Sequence, residues 1–295
     1  MRVAEAEDAQ RHADPAPALV RQERFAAVGS TNDVVRSWLD AGEPEICLAV
    51  ADEQTAGRGR HGRSWTAPSG SGLLLSLGFR PTWLPPDRVW RLAGTTSLAM
   101  ADAAEEVAGL PDRATHLKWP NDLVIVTDAA GRALDGQAAA AARADGSVRK
   151  LGGVLGETDG LGTADPRAVV GIGVNADWRA TAFPAELAAT MTSLRAASGD
   201  RPIDLALLLD AFLSRLEVRV DALHAGRFDV ADWIDRQVTT GRDVDLELAD
   251  GSVERVHARG VDPVTGALRI ADDTASTGER PIFVGEIRRV RLTTV

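Results

Sequence analysis

The sequence holds a single cysteine, Cys47, so no disulfide can close within the chain and no cysteine-based zinc knuckle can be built. Cys47 lies in the apolar run 46–50, with no histidine or cation nearby in sequence to lower its pKa, which predicts a buried strand residue rather than a nucleophile. The five histidines, His12, His61, His116, His224 and His257, fall at no metal-ligand spacing such as H-E-x-x-H. Also missing are a G-x-S-x-G elbow, a G-x-x-x-x-G-K-[ST] loop and a strand-linked G-x-G-x-x-G followed by an acid. These absences argue against a serine hydrolase, a P-loop NTPase and a Rossmann dehydrogenase. Long hydrophobic runs are lacking too. The densest, Leu205 to Leu209, is bracketed by Asp204 and Asp210 and is too short to span a bilayer, and the N-terminus has no apolar signal core, so a cytoplasmic protein is expected. Positive charge is in deficit: 33 Lys and Arg against 43 Asp and Glu give a net charge of -10, which does not invite nucleic acid or an anionic membrane.

What is present suits a large domain and a small one, since 295 residues can bury a sizeable core. Residues 1–20 read as a disordered tail, 21–236 as a main domain and 237–295 as a second. Ser30-Thr31-Asn32-Asp33 precedes Val34, Val35, Trp38 and Leu39 at helical spacing, with an N-cap before them and Gly42 as a stop. Strands are expected at 46–50, 73–79, 117–119, 123–126, 151–157 and 169–174, and a helix over 87–107. The alanine-rich stretch 127–149 reads as a mobile hairpin insertion with nothing apolar to hold it down. Residues 202–224 read as an amphipathic helix with Ile203, Leu205, Leu207, Leu208, Phe212, Leu216 and Val220 on one face. After Trp233, short β-rich runs at 244–248, 253–258, 267–270 and 287–292 alternate with turn signals, as in a small β-barrel.

The most informative segment is Gly57-Arg58-Gly59-Arg60-His61-Gly62-Arg63-Ser64-Trp65. Its glycines let backbone approach a ligand, and its guanidinium groups offer bidentate hydrogen bonds to phosphate or carboxylate. Alone it reads as well as a solvated RG loop or an RNA-binding patch, yet it joins two core strands where an RG tail would sit in a terminus. Lys118 ends a short strand at the Pro120-Asn121-Asp122 turn. It is either a lysine snorkelling from an edge strand or a fixed cation able to neutralise a phosphate. Gly152 and Gly153 in the run 150–157, and the alternation of 170–175 ending on Asn175, signal close approach of a ligand or tight sheet packing. Ser30-Thr31-Asn32 by itself reads as a plain cap.

Taken together and in this order, these segments resemble the biotin protein ligase family in a short form. The likeness runs from about Phe25 to Thr192, and 259–262 with 285–287 resemble that family's small C-terminal domain. The resemblance implies an α+β fold: a mixed β-sheet with flanking helices, akin to class II aminoacyl-tRNA synthetases, followed by an SH3-like β-barrel. It implies activation of biotin with ATP to biotinoyl-5'-AMP, Mg²⁺ accompanying the ATP, and transfer to a lysine of a biotin carboxyl carrier protein domain of acyl-CoA carboxylases. Carried over by position, Ser30, Thr31, Asn32, Gln54, Gly57, Arg58, Gly59, Arg60, Trp65, Lys118, Gly152, Gly153 and Asn175 would contact biotin or the adenylate. Lys118 and Arg58 would act in catalysis, and Asn175 would lie near the phosphates and Mg²⁺. The 176–191 segment, with Trp178 near its start, stands where the family has a second mobile loop. Many bacterial relatives carry an N-terminal winged helix-turn-helix; about 24 residues precede the likeness here, so no operator binding is expected. A lipoate or octanoate ligase of the same fold, and a non-catalytic ligand sensor, are the alternatives. The arginine loop itself is expected to be mobile until an anion orders it, because its like charges repel.

Overall fold

The structure, a computed structural model, describes residues 18–141 and 147–290. Of the expected tail, residues 1–17 lie outside the described residues, while Ala18 and Val20 exchange backbone hydrogen bonds with Ile46 at 2.7 and 2.8 Å. The main sheet has seven strands: β1 (Arg21–Phe25), β2 (Cys47–Ala51), β3 (Gly72–Phe79), β4 (Thr115–Lys118), β5 (Asp122–Thr127), β6 (Ser147–Asp159) and β7 (Arg167–Asn175). Their order is β1-β2-β3-β7-β6-β5-β4, with β1 parallel to β2 and the other pairs antiparallel. Strand β1 gave no sequence signal, because Arg21-Gln22-Glu23-Arg24 is a charged, mostly exposed edge.

The two faces of this sheet differ in side-chain size, and that difference places the site. On one face Ser76 pairs with Gly171, and Gly171 with Leu155; in the next row Leu74 pairs with Gly173, and Gly173 with Gly153. Helix α1 (Thr31–Asp40) lies over this face, packing Val35, Trp38 and Leu39 against Cys47, Ala49 and Val169. A Cβ at Gly78 would fall 2.6 Å from Cys47 Sγ and 2.7 Å from Val35 Cγ1, so the small residue admits the helix. The other face carries Leu73, Leu75, Leu77, Phe79, Ile172 and Val174 into the main core. There it meets α2 (Trp90–Ala108) and the long helix Leu205–His224. Cys47 is fully buried, and burial pushes its thiol up to about 11, as a packed strand residue requires.

Two expectations about packing are corrected. The insertion is tied down where it is described: helix α3 (Gly136–Ala141) buries Ala139 in the core, and Ala133 and Leu134 pack against it. Arg242 Nη2 donates to the Ala139 carbonyl at 2.7 Å, and Gly136 N to Asp112 O at 3.0 Å. Residues 142–146 lie outside the described residues. After the short α4 (Leu194–Ala197), helix α5 (Leu205–His224) is capped by Asp204 and buries Leu208, Leu209, Phe212, Leu216, Val220 and Leu223. Leu207, expected on that face, is 58% exposed, since it falls off the 3–4 residue stripe.

Helix α6 (Val230–Asp235) leads into a second sheet: β8 (Arg242–Glu247), β9 (Val253–Val261), β10 (Leu268–Ala271), β11 (Glu279–Ile282) and β12 (Glu286–Val290), antiparallel in the order β11-β10-β9-β8-β12. Strand β11 was not anticipated, because Glu279-Arg280-Pro281 reads as a turn. The two sheets are stitched at β4, where Leu117 N donates to Arg236 O at 2.8 Å and Val238 N to Leu117 O at 2.9 Å. Indole donors add to this: Trp90 Nε1 reaches Val264 O at 3.2 Å and Trp119 Nε1 reaches Gly266 O at 3.0 Å. Among the described residues no helix is long and apolar enough to cross a membrane.

Candidate active site

The N-terminus of α1, the arginine loop and the glycine-bearing middle of β6 and β7 enclose a cavity of about 120 Å³. Ser30, Thr31, Asn32, Gln54, Arg58, Gly59, Arg60, Trp65 and Gly153 all line it. A wider cleft of about 450 Å³, bounded by α2, β4 and the second sheet, shares Arg60, Asn121, Val154 and Leu155 with it and adds Lys118.

The floor is polar and buried. Ser30 occupies the N-cap position but its hydroxyl makes no capping bond; Thr31 N donates instead to Gln54 Oε1 at 2.8 Å. Asn32 Nδ2 donates to Glu157 Oε2 at 2.7 Å. The glycines make room: a Cβ at Gly171 would fall 2.1 Å from Asn32 Oδ1, and one at Gly173 would fall 2.7 Å from the Trp65 ring. Gly57 and Gly152 serve the backbone, since Cβ atoms there would strike the Trp65 and Gly173 carbonyl oxygens at 2.4 and 2.6 Å.

The loop roofs the cavity, and the chain itself supplies the counter-charges that the sequence reading left to a ligand. Arg58 grips Asp33 with both terminal nitrogens, at 2.6 and 2.7 Å, and stands 3.4 Å from Glu157. Its guanidinium hydrogen bond holds the Asp33 carboxyl below the usual carboxylate range. Arg60 Nη1 donates to Gly285 O at 3.1 Å; burial lowers its pKa, which the Glu286 and Asp122 carboxylates oppose. Arg63 pairs with Glu286 and, at 3.6 Å, with Glu247. Both ends of the loop are thus paired with carboxylates of the chain itself, counter-charges that the expectation of mutual repulsion between its arginines did not include.

Lys118 is part of a buried cluster. Its Nζ donates to Ile287 O at 3.0 Å and lies 2.7 Å from Asp122 Oδ2, while Lys150 Nζ lies 2.6 Å from Asp122 Oδ1. Burial would raise the Asp122 pKa, but the two ammonium groups outweigh it and hold the carboxyl low. Lys150, not expected as a site residue, lines the smaller cavity at 5.6 Å from the Trp65 ring centroid. Its signal was its place two residues before the paired glycines Gly152-Gly153 in the same strand. Asn121, Asp122 and Glu157 sit within the recognisable runs 118–122 and 150–157 without a signal of their own, and Ser76 and Glu286 carry no local signal as site residues.

Asn175 departs from its expected place. It lines neither cavity, and its Nδ2 donates to Thr192 O at 3.0 Å, which ties β7 to the segment returning towards α4. Among the described residues no group of three His, Cys, Asp or Glu could hold a metal ion, so a preformed Mg²⁺ cage does not fit these residues. Trp178 is buried, donating to Ala182 O and packed edge-on against Phe183, which makes it a brace within its own segment.

Residues 25–175 match the Biotin/lipoate A/B protein ligase family. The chain is 31% identical over 192 residues to the Bifunctional ligase/repressor BirA of Bacillus subtilis, covering 65% of this chain and 51% of that protein, so it spans about half the length of that relative. It is also 31% identical over 239 residues to the Biotin--[acetyl-CoA-carboxylase] ligase of Mycobacterium tuberculosis, covering 80% of this chain and 78% of that one. In fold it is similar to the biotin protein ligase from Aquifex aeolicus in complex with biotin and ATP, with a TM-score of 0.68 at 23% identity over 92% of this chain and all of that one. The shared segment contains the α1 N-terminus, the arginine loop, Lys118, Lys150 and the glycine strands, and the chain belongs to the biotin/lipoate A/B protein ligase family.

Proposed function

We propose that the protein is a biotin protein ligase, which activates biotin with ATP to biotinoyl-5'-AMP and passes the biotinyl group to a lysine of a biotin carboxyl carrier protein domain of acyl-CoA carboxylases. One observation carries the reading: a polar floor of buried Thr31 and Asn32 with half-buried Gln54 lies beneath a roof of arginines, and Lys150 lines the same cavity. That arrangement takes a neutral polar head group below and an anion above. Similarity to the Biotin--[acetyl-CoA-carboxylase] ligases of M. tuberculosis and Paracoccus denitrificans supports the choice of biotin within the family.

In the first step a biotin carboxylate oxygen bonds to the α-phosphorus of ATP, the α–β P–O bond breaks and pyrophosphate leaves. Both reactants are anions; two unit charges about 4 Å apart repel by ~4 kcal/mol at an effective dielectric near 20. Lys150, Arg60 and Arg58 supply the compensating charge, Arg58 by exchanging Asp33 for the ligand. Lys118 acts from behind, holding Asp122 and thereby Lys150. Ser30, Thr31, Asn32 and Gln54 hold the head group; Trp65 packs beside it, and Gly57, Gly59, Gly152 and Gly153 keep the backbone close. Asn175 fixes the neighbouring segment; Mg²⁺, which would come with the ATP rather than be held by these residues, would supply further positive charge. In the second step the acceptor's neutral amine bonds to the acyl carbon, the anhydride C–O bond breaks, AMP leaves and the amine sheds a proton. AMP is already a good leaving group, so the enzyme needs no nucleophile of its own.

The five-stranded second sheet belongs with SH3-like barrels and the main sheet with class II aminoacyl-tRNA synthetases in this reading, and the cytoplasm is its compartment. ATP–pyrophosphate exchange measured with biotin, lipoate and octanoate in parallel tests it. Exchange with biotin alone is expected; exchange with lipoate or octanoate and none with biotin overturns it.

A further inference from the structure

Ser76 is wholly buried in β3 beneath Thr31 and Asn32 and does not line the cavity. Its register partner is Gly171, so the two strands leave a notch into which the Asn32 amide drops. Ser76 Oγ lies 2.7 Å from Thr31 Oγ1 and 2.6 Å from Asn32 Oδ1. The hydrogens of this chain of contacts can be counted. Gln54 Oε1, a carbonyl oxygen, only accepts; it takes the Thr31 N–H and stands 3.1 Å from Thr31 Oγ1, so the Thr31 hydroxyl donates to it. At the other end the Glu157 carboxylate only accepts, which fixes Asn32 Nδ2 towards it and Asn32 Oδ1 towards Ser76. Thr31 Oγ1 and Asn32 Oδ1 then share the one hydrogen of Ser76. The floor is short of one donor, and both under-satisfied oxygens belong to residues that line the cavity.

We infer that Ser76 and Glu157 are specificity-determining positioning residues, which fix the floor as an acceptor surface and so select an acyl substrate whose head group brings an N–H. The inference rests on the biotin reading above: a ureido ring carries such N–H groups, whereas a hydrocarbon tail or a dithiolane ring carries none. Glu157 sets the sign of the surface, because a neutral amide in its place can donate to Asn32 Oδ1 and let the Asn32 amide turn over. Ser76 sets the count. Glu157 also meets Arg36 Nη2 at 2.7 Å and Arg58 Nη2 at 3.4 Å, so loss of affinity alone would not separate its two roles.

The separating measurement is a preference ratio. Binding of biotin and of biotin methylated at both ureido nitrogens is measured by calorimetry on the full chain, for the parent, Glu157→Gln and Ser76→Ala. The parent is expected to prefer biotin by ~30-fold or more, the effect of leaving a buried acceptor unmet. Glu157→Gln should shrink that preference at least fivefold, whereas Ser76→Ala should weaken biotin yet keep or widen the preference, its floor still being all acceptors. A parent that turns over biotin but binds both compounds alike, or a Glu157→Gln protein that keeps the parent's ratio, overturns the inference and leaves the ligase reading standing. Should Glu157→Gln fail to fold, the parent's ratio and that of Ser76→Ala decide, a Ser76→Ala ratio fivefold below the parent's counting against it. A parent without biotin-dependent exchange overturns the ligase reading first.

Discussion

Two buried ionisable residues, both in or beside β4, have opposite uses. Asp122 is a hub: its two oxygens each hold one ammonium, and it stays charged because Lys118 and Lys150 repay its burial. Lys150 is the member that reaches the small cavity, so Lys150→Ala should lower ATP–pyrophosphate exchange ~10²-fold, as loss of a preorganised cation does. An exchange rate within threefold of the parent would remove Lys150 from the site. His116 has no such partner: its Nε2 is buried without a hydrogen bond, and burial, followed by Arg236, Arg242 and Arg113, pushes its pKa down to about 4. The unfolded imidazole takes a proton near 6.5 and the folded one near 4, so between them the unfolded state binds more protons. Stability should be full above pH 6.5 and fall by up to ~3 kcal/mol as the pH drops to 4. Urea midpoints across this range for the parent and for His116→Gln check it; a His116→Gln protein with the parent's slope would show that other groups carry it.

The arginine loop shows what periodicity can and cannot reveal about an element. Its glycine and arginine composition located the site, because few other reasons exist to place three arginines between two core strands. Its anchorage was hidden, because the partners Asp33, Glu157, Glu247 and Glu286 lie far away in sequence and their approach depends on the sheet. The same holds for Asn175, whose partner Thr192 reaches it only by tertiary packing, and for β1, an edge strand with no buried stripe. Strands with continuous apolar runs and the capped helix α5 were legible for the converse reason: their signal is local. If these pairs hold the loop, trypsin should cut slowly after Arg58, Arg60 and Arg63 in the protein without added biotin. Glu286→Gln should speed cutting severalfold, in line with ~1 kcal/mol for a rim ion pair. Equal cutting rates for the two proteins would mean that the latch lies elsewhere.

At the scale of the whole molecule, the second sheet is part of the site, since Gly285 and Ile287 carbonyls receive Arg60 and Lys118. The seam between the sheets closes at Gly266, where φ is +73° and an added Cβ would lie 2.9 Å from Trp90 Cδ2. Gly266→Ala should therefore cost ~1–3 kcal/mol in urea unfolding, through both strain and displacement of the indole; a loss under 0.5 kcal/mol (roughly the surface-substitution range) would show the seam to be pliant. The indoles have one more consequence, an optical one. The chain has seven tryptophans and no tyrosine, so its near-ultraviolet emission comes from indole alone. Trp38, Trp119, Trp178 and Trp233 are buried, and Trp83 and Trp90 are packed against the core. Trp65 alone lines the small cavity, with its ring against Gly173 and its Nε1 without a hydrogen-bond partner. A molecule entering beneath the arginines must change that ring's surroundings before any other's, which gives the protein a built-in, label-free gauge of occupancy at its own wavelength.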